Sequence, residues 1–103
     1  MNAPDEIIHQ SVRLKIMSAL NAQARNGAID FPRLKAITGA SDGNLGAHIT
    51  TLETAGYITV PKEFVGKKPR TTLAITKAGR KAFEQHVAFL RDILDGGAAA
   101  TEE

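Results

Sequence analysis

The chain has 103 residues, 43% apolar and 23% charged, with a net charge of +2; these proportions exclude disorder throughout and suit one domain around a single core. It contains no cysteine, which excludes disulfides, thiolate metal sites and thiol redox chemistry. No apolar run follows a basic start and none approaches the length of a membrane span, so the expectation is a cytoplasmic protein with no membrane partner.

Asp5 is placed to cap a short opening helical turn, and Ser11 to restart or continue it into SVRLKIMSALNAQ. There Val12, Ile16, Ala19 and Leu20 recur at helical spacing, with Leu14 and Met17 widening the stripe. Asn26-Gly27 breaks the pattern. Ile29 has room for a bridge-length strand before Asp30 caps FPRLKAIT, with Pro32 in the first turn. Gly39 ends this short helix, and Ser41 caps a third, DGNLGAHITTLETA, which Gly56 terminates. Two helices joined by so short a turn make a helix-turn-helix candidate. YITVPKEFV and RTTLAIT then flank GKKP as an antiparallel hairpin, with Gly66 and Pro69 shaping the turn and Pro61 lying where no ladder hydrogen bond is needed. Thr76 caps a last long helix, KAGRKAFEQHVAFLRDIL, and the small, polar residues 96–103 read as a disordered tail. The predicted fold class is mainly α with a β-hairpin, an α+β arrangement over residues 1–95.

Charge is unevenly spread. Between residues 57 and 82, Lys62, Lys67, Lys68, Arg70, Lys77, Arg80 and Lys81 face the single acid Glu63, a surplus of +6, while the remainder sums to −4. Such a segment fits either a polyanion footprint or a solvated face. The third helix commits Leu45, Ile49 and Leu52 to the core. Its other face shows Gly43, Ala47, Thr50, Thr51 and Thr54 flanked by Asn44 and His48, with no lysine or arginine. Two glycines early in a helix cost roughly 1 kcal/mol each relative to alanine, so that face favours close approach over helix stability. Small and hydrogen-bonding side chains there suit a groove, where asparagine pairs with an adenine edge and helix-end amides meet phosphate.

The order of elements, with GNLGAHITTLETAGYITV, FVGKKPRTTLAITKAGRKAF and HQSVRLKIMSAL, resembles the winged helix-turn-helix transcriptional regulators, and is similar to the MarR-like and ArsR-like repressors and their small single-domain relatives. The resemblance runs from Ile7 to Leu94. It implies a homodimer that binds double-stranded DNA, with a recognition helix over 41–55 in the major groove and a wing over 61–75 on the adjacent backbone or minor groove. Carried over by position, Ser41, Asp42, Gly43, Asn44, Ala47, His48, Thr50 and Thr51 belong to the recognition helix, and Lys62, Lys67, Lys68, Arg70 and Thr71 to the wing. Relatives commonly have serine at the position of Gly46 and a basic residue near Thr50, so the wing is expected to supply more of the affinity. Asp42 faces phosphate unfavourably unless it caps the helix or accepts from a cytosine amino group.

The last helix carries two apolar rows: Phe83, Val87, Leu90 and Leu94 in one, and Ala82, Phe89 and Ile93 beside it with His86. One stripe suffices for a helix lying only on its own core, so the surplus predicts a twofold partner. The expected dimer interface is Ile7, Ile8, His86, Phe89, Leu90 and Ile93, with the dimerisation helix spanning 76–95. Nothing supports catalysis: the three histidines lie on different segments, and there is no phosphate loop or nucleophile elbow. No cofactor and no metal site are expected; His9 and His86 are the nearest to a ligand pair, and only across an interface. No feature assigns a small-molecule effector. The alternative reading is a winged-helix module whose hairpin and third helix engage an acidic protein.

Overall fold

A computed structural model describes residues 4–24 and 27–96. The expected break at Asn26 and the tail after Gly96 lie outside the described residues. The opening turn is held by Asp5, whose Oδ1 accepts from the amides of Ile7 and Ile8 at 2.9 and 3.0 Å. Helix α1 follows over Ser11–Asn21. Its cap is Gln10, which accepts from Arg13 N at 3.0 Å; Ser11, expected as a cap, is already helical, because the longer amide side chain one residue earlier satisfies the same orphan donor.

Strand β1, Ile29–Asp30, leads into α2, Phe31–Thr38, with Asp30 accepting from Arg33 N at 3.0 Å as its cap. Gly39 leaves that helix at φ 72°, a left-handed conformation that favours glycine. Ser41 then caps α3, Asp42–Thr54. Strands β2 (Ile58–Thr59), β3 (Lys62–Val65) and β4 (Lys68–Ile75) come next, then α4, Lys77–Arg91, and one π-helical turn, Asp92–Gly96. Ile16, Met17 and Leu20 of α1, Leu34 of α2, and Leu45, Ile49 and Leu52 of α3 share one core with Ile29, Ile58 and Leu73 from the sheet. Each such side chain stabilises the fold by about 1.5–3 kcal/mol relative to exposure, and together they hold α3 by its apolar face only.

Strand β4 is central: β1 pairs with it along one edge, and β2 and β3 along the other. The pairs Ile58↔Ile75 and Val65↔Lys68 belong to a single unbroken register, so β2 and β3 are one strand interrupted at Pro61. The hairpin loop is only Gly66 and Lys67, with Gly66 at φ 68° as a primed turn requires. Pro69 therefore lies inside β4, opposite Phe64, and not in the turn. A two-residue loop makes its flanking pair hydrogen-bonded and alternates from there. Pro69 consequently occupies a non-bonded position, where its missing N–H costs nothing. Pro61 falls opposite Thr72 at a bonded one, contrary to expectation: its carbonyl still accepts from Thr72 N at 3.3 Å, but it has nothing to donate and the strand breaks there.

Candidate nucleic-acid interface

The α2–α3 corner is fixed by short-range chemistry. Buried Thr38 donates its hydroxyl to Leu34 O at 2.9 Å and accepts from Ala40 N at 3.3 Å, so the chain turns through Gly39 without unsatisfied backbone groups. Ser41 Oγ accepts from Asn44 N at 3.2 Å. Capping is thus done by Ser41, and the charge of Asp42 goes elsewhere: its Oδ1 stands 2.7 Å from Lys35 Nζ on α2. Lys35 is a contributor that periodicity could not reveal, because the pair spans the corner.

Leu45, Ile49 and Leu52 are buried as spaced, and Gly43, Asn44, Ala47, Thr50 and Thr51 are exposed. A Cβ on Gly43 or Gly46 would meet nothing within 4 Å, so neither glycine is needed for packing. Thr50 and Thr51 donate their hydroxyls back to Gly46 O and Ala47 O at 3.0 and 3.2 Å. That leaves each threonine showing a methyl group and oxygen lone pairs outward, an acceptor and apolar surface rather than a donor.

His48 is half-buried at the seam with α1, its Nδ1 3.0 Å from Arg13 Nη1. Guanidinium only donates, so Nδ1 accepts and the imidazole carries its proton on Nε2. Burial and then the Arg13 charge hold its pKa below the ordinary histidine value. His48 is therefore a neutral ring, packed against α1 on one side and holding one donor. Arg13, which also donates to Ile7 O, was not singled out by the sequence.

Every residue from Pro61 to Arg70 is exposed, and Thr71 is half-buried where β4 meets the body. Among the described residues Lys62, Lys67 and Lys68 have no acidic partner, whereas Arg70 Nη2 lies 3.5 Å from Asp30 Oδ2. Asp30 thus caps α2 and tethers the base of the hairpin together. Arg80, counted with the basic segment, points away from it: its Nη1 donates to Asn21 O and Oδ1 at 3.1 and 3.0 Å, closing the end of α1.

The residues expected at an interface between copies separate into two sets. Ile8 is fully buried and His86 is 1% exposed, both inside the protomer. His86 Nδ1 accepts from Asp5 N at 3.1 Å, and its ring packs edge-on to His9 and stacks on Phe89. His9 and His86 thus meet within one chain. Ile7, Phe89 and Leu90 are half-buried, and Ile93 is 53% exposed. Among the described residues no three His, Asp or Glu side chains gather as metal ligands, and no helix is long and apolar enough to cross a membrane.

The family of winged helix DNA-binding domains matches this chain over residues 12–94. An uncharacterized protein of Methanocaldococcus jannaschii is 30% identical over 82 residues, 80% of this chain and 86% of the relative. Among solved structures, a transcriptional regulator homologue from Pyrococcus horikoshii OT3 superposes with a TM-score of 0.78 at 28% identity, covering 89% of this chain and 88% of its own. A MarR-family protein from Porphyromonas gingivalis W83 shares the fold at a TM-score of 0.68 and 19% identity, over 92% of this chain and 98% of its own. Four helices, the capped corner and a basic hairpin wing agree with these likenesses, and the chain belongs to the family of winged helix DNA-binding domains.

Proposed function

We propose that this protein is a transcriptional regulator that binds duplex DNA sequence-specifically as a homodimer, with α3 in the major groove and the β3–β4 wing on the neighbouring backbone or minor groove. The observation that carries the reading is a division of chemistry. The exposed face of α3 has no cation and is lined by Gly43, Asn44, Ala47, Thr50 and Thr51, while the exposed lysines Lys62, Lys67 and Lys68 stand on the wing. Phosphate contacts give affinity without sequence information, and base edges give specificity. Asn44 is the base reader on α3. The regulator homologue of Pyrococcus horikoshii supports the regulatory part of the reading.

The dimer is supported by surface that the protomer leaves uncovered at the end of α4. Ile93 and Leu94 are exposed, Phe89 and Leu90 are half-covered, and an open cleft of about 380 Å³ beside the end of α1 includes Phe83, Val87 and Ala88. His86, buried in the protomer, stacks beneath Phe89. A twofold arrangement sets two α3 helices about 34 Å apart, one duplex turn, for an inverted repeat with half-sites about 10 base pairs apart. Mobility shifts with genomic fragments at two salt concentrations, alongside sedimentation at micromolar protein, test both parts. Retarded fragments containing inverted repeats and a dimer are expected; a monomer with no salt-sensitive shift would overturn the proposal.

A further inference from the structure

Phe64 is 73% exposed on β3, and nothing in the fold covers it. Leaving a phenylalanine in water forgoes about 1.5–3 kcal/mol of burial, and the residue stands on an exposed hairpin that, apart from the smaller Val65 and Pro69, consists of lysine, arginine, glycine and glutamate from Lys62 to Arg70. Its register gives it a companion. Pro69 lies directly opposite at a non-hydrogen-bonded position, the kind in which side chains approach most closely. Side chains alternate across a sheet, so Phe64 and Pro69 share one face with Lys62 and Thr71. The one acid of the hairpin, Glu63, belongs to the other face and is opposed by Arg70.

We infer that Phe64, backed by Pro69, is a DNA-contacting residue of the wing, and that its ring enters the minor groove against sugar and base edges beside the half-site read by α3. The inference rests on the DNA-binding reading above and adds a residue and a sequence preference to it. A partner for this surface must be polyanionic beside an apolar centre, because Lys62 shares the face of the ring, Lys67 stands in the adjoining loop and Lys68 lies just across the hairpin on its other face. The minor groove meets both requirements, with phosphates on its rims and sugar and base edges between them. Phenylalanine and proline are among the side chains that wedge into the minor groove at base steps and partly unstack them. The cost is lowest at flexible pyrimidine–purine steps and highest in stiff A-tracts. The wing therefore favours a TA or CA/TG step at a place the recognition helix does not touch.

The chain has no tryptophan, so Phe64→Trp places a single indole reporter on an exposed site that the core does not use. The full-length variant is titrated with an alternating dA-dT duplex, which is rich in TA steps, with a dA tract paired to dT, and with polyglutamate; anisotropy of labelled duplex reports binding separately. The expected result is quenching of the indole emission by both duplexes, stronger with the alternating one, and none with polyglutamate. Phe64→Ala should bind the alternating duplex about tenfold more weakly with an unchanged salt slope, as loss of an aromatic contact requires. Duplex binding with unaltered indole emission and undiminished Phe64→Ala affinity would overturn the inference and leave the DNA-binding reading standing. An equal response to polyglutamate would overturn it in favour of an acidic protein. Binding to neither duplex would instead overturn the DNA-binding reading on which it rests.

Discussion

The carbonyl oxygen of Tyr57 occupies the space in which a Cβ on Gly79 would stand. The same carbonyl accepts from Thr76 N at 3.0 Å, and Thr76 in turn donates its hydroxyl to Gly56 O at 2.7 Å while capping α4 through Gly79 N. The end of α3, the start of β2 and the first turn of α4 are thus locked by backbone contacts. Glycine to alanine within a helix ordinarily gains about 1 kcal/mol. Here a rigid carbonyl fills the site, so Gly79→Ala should destabilise the protein by about 2 kcal/mol or more. That is a fall of about 10 °C in Tm for a domain of this size, readable by circular dichroism.

Gly46 of α3 has the opposite environment, with open space where a Cβ would go. Gly46→Ala should raise stability by about 1 kcal/mol. If close approach to a groove is why glycine stands there, the same substitution should weaken DNA binding in an anisotropy titration. Stabilisation with unchanged binding would remove Gly46 from the contact surface.

The helices, the caps of α2, α3 and α4, and the core were legible because they depend on neighbours in sequence, whereas the cap of α1 fell to Gln10 in place of Ser11. Asp30, Ser41 and Thr76 cap where a short polar side chain precedes an apolar period, and Leu45, Ile49 and Leu52 are buried where spacing puts them. What escaped is long-range or a matter of parity. Lys35 reaches Asp42, Arg13 reaches His48 and Arg80 reaches Asn21 across elements whose packing no periodicity encodes. Pro69 took the non-bonded position expected of Pro61, and Pro61 fell at a bonded one, because a two-residue loop sets which hairpin pairs are bonded. Thr50 and Thr51 were legible as exposed, but not as donors already spent on their own helix.

On the proposed reading of α3, the Lys35–Asp42 pair keeps an acid from repelling DNA at the leading end of that helix. Both side chains are largely exposed, so its removal should alter stability by no more than about 1 kcal/mol. Its effect on binding is larger and signed. Asp42→Asn should tighten DNA binding by freeing Lys35, and Lys35→Ala should weaken it by leaving the acid unopposed. Equal affinities for both variants and wild type would place this corner outside the interface.

Tyr57 is the chain's single tyrosine, and its hydroxyl donates to Asp5 Oδ2 at 2.7 Å. That hydrogen bond, with burial and the Asp5 charge, pushes the phenol up to about 12. Ultraviolet titration should find the phenolate midpoint there, and Asp5→Ala should bring it back toward about 10. The folded pKa is raised, so this contribution to stability is present below pH of about 10 and is lost as pH rises through about 12.

His86 works in the other direction. Burial, aided by His9 and opposed by Asp5, lowers its pKa. The unfolded chain therefore takes up its proton first, and stability falls as pH drops below about 6.5 until the folded imidazole also titrates. Asp5 is lowered as well: burial alone would raise it, but its hydrogen bonds from Tyr57, Ile8 and Ile7 together outweigh that. Its contribution is present above pH 3.8 and is lost in more acid solution. Denaturant midpoints measured from pH 7.5 down should therefore fall in two steps, the first shared by His86 and His48, and His86→Phe should make that first step smaller.

The division of labour between wing and recognition helix is tested most directly by the salt dependence of DNA affinity. With about eight phosphates neutralised by a dimer, log affinity should fall against log salt with a slope near −7. Replacing Lys62, Lys67 and Lys68 together by alanine should make that slope visibly shallower and weaken all sequences alike. Asn44→Ala should leave the slope unchanged and cost about 1–3 kcal/mol at the preferred site alone. A lysine-free wing that retains the wild-type slope would contradict the account.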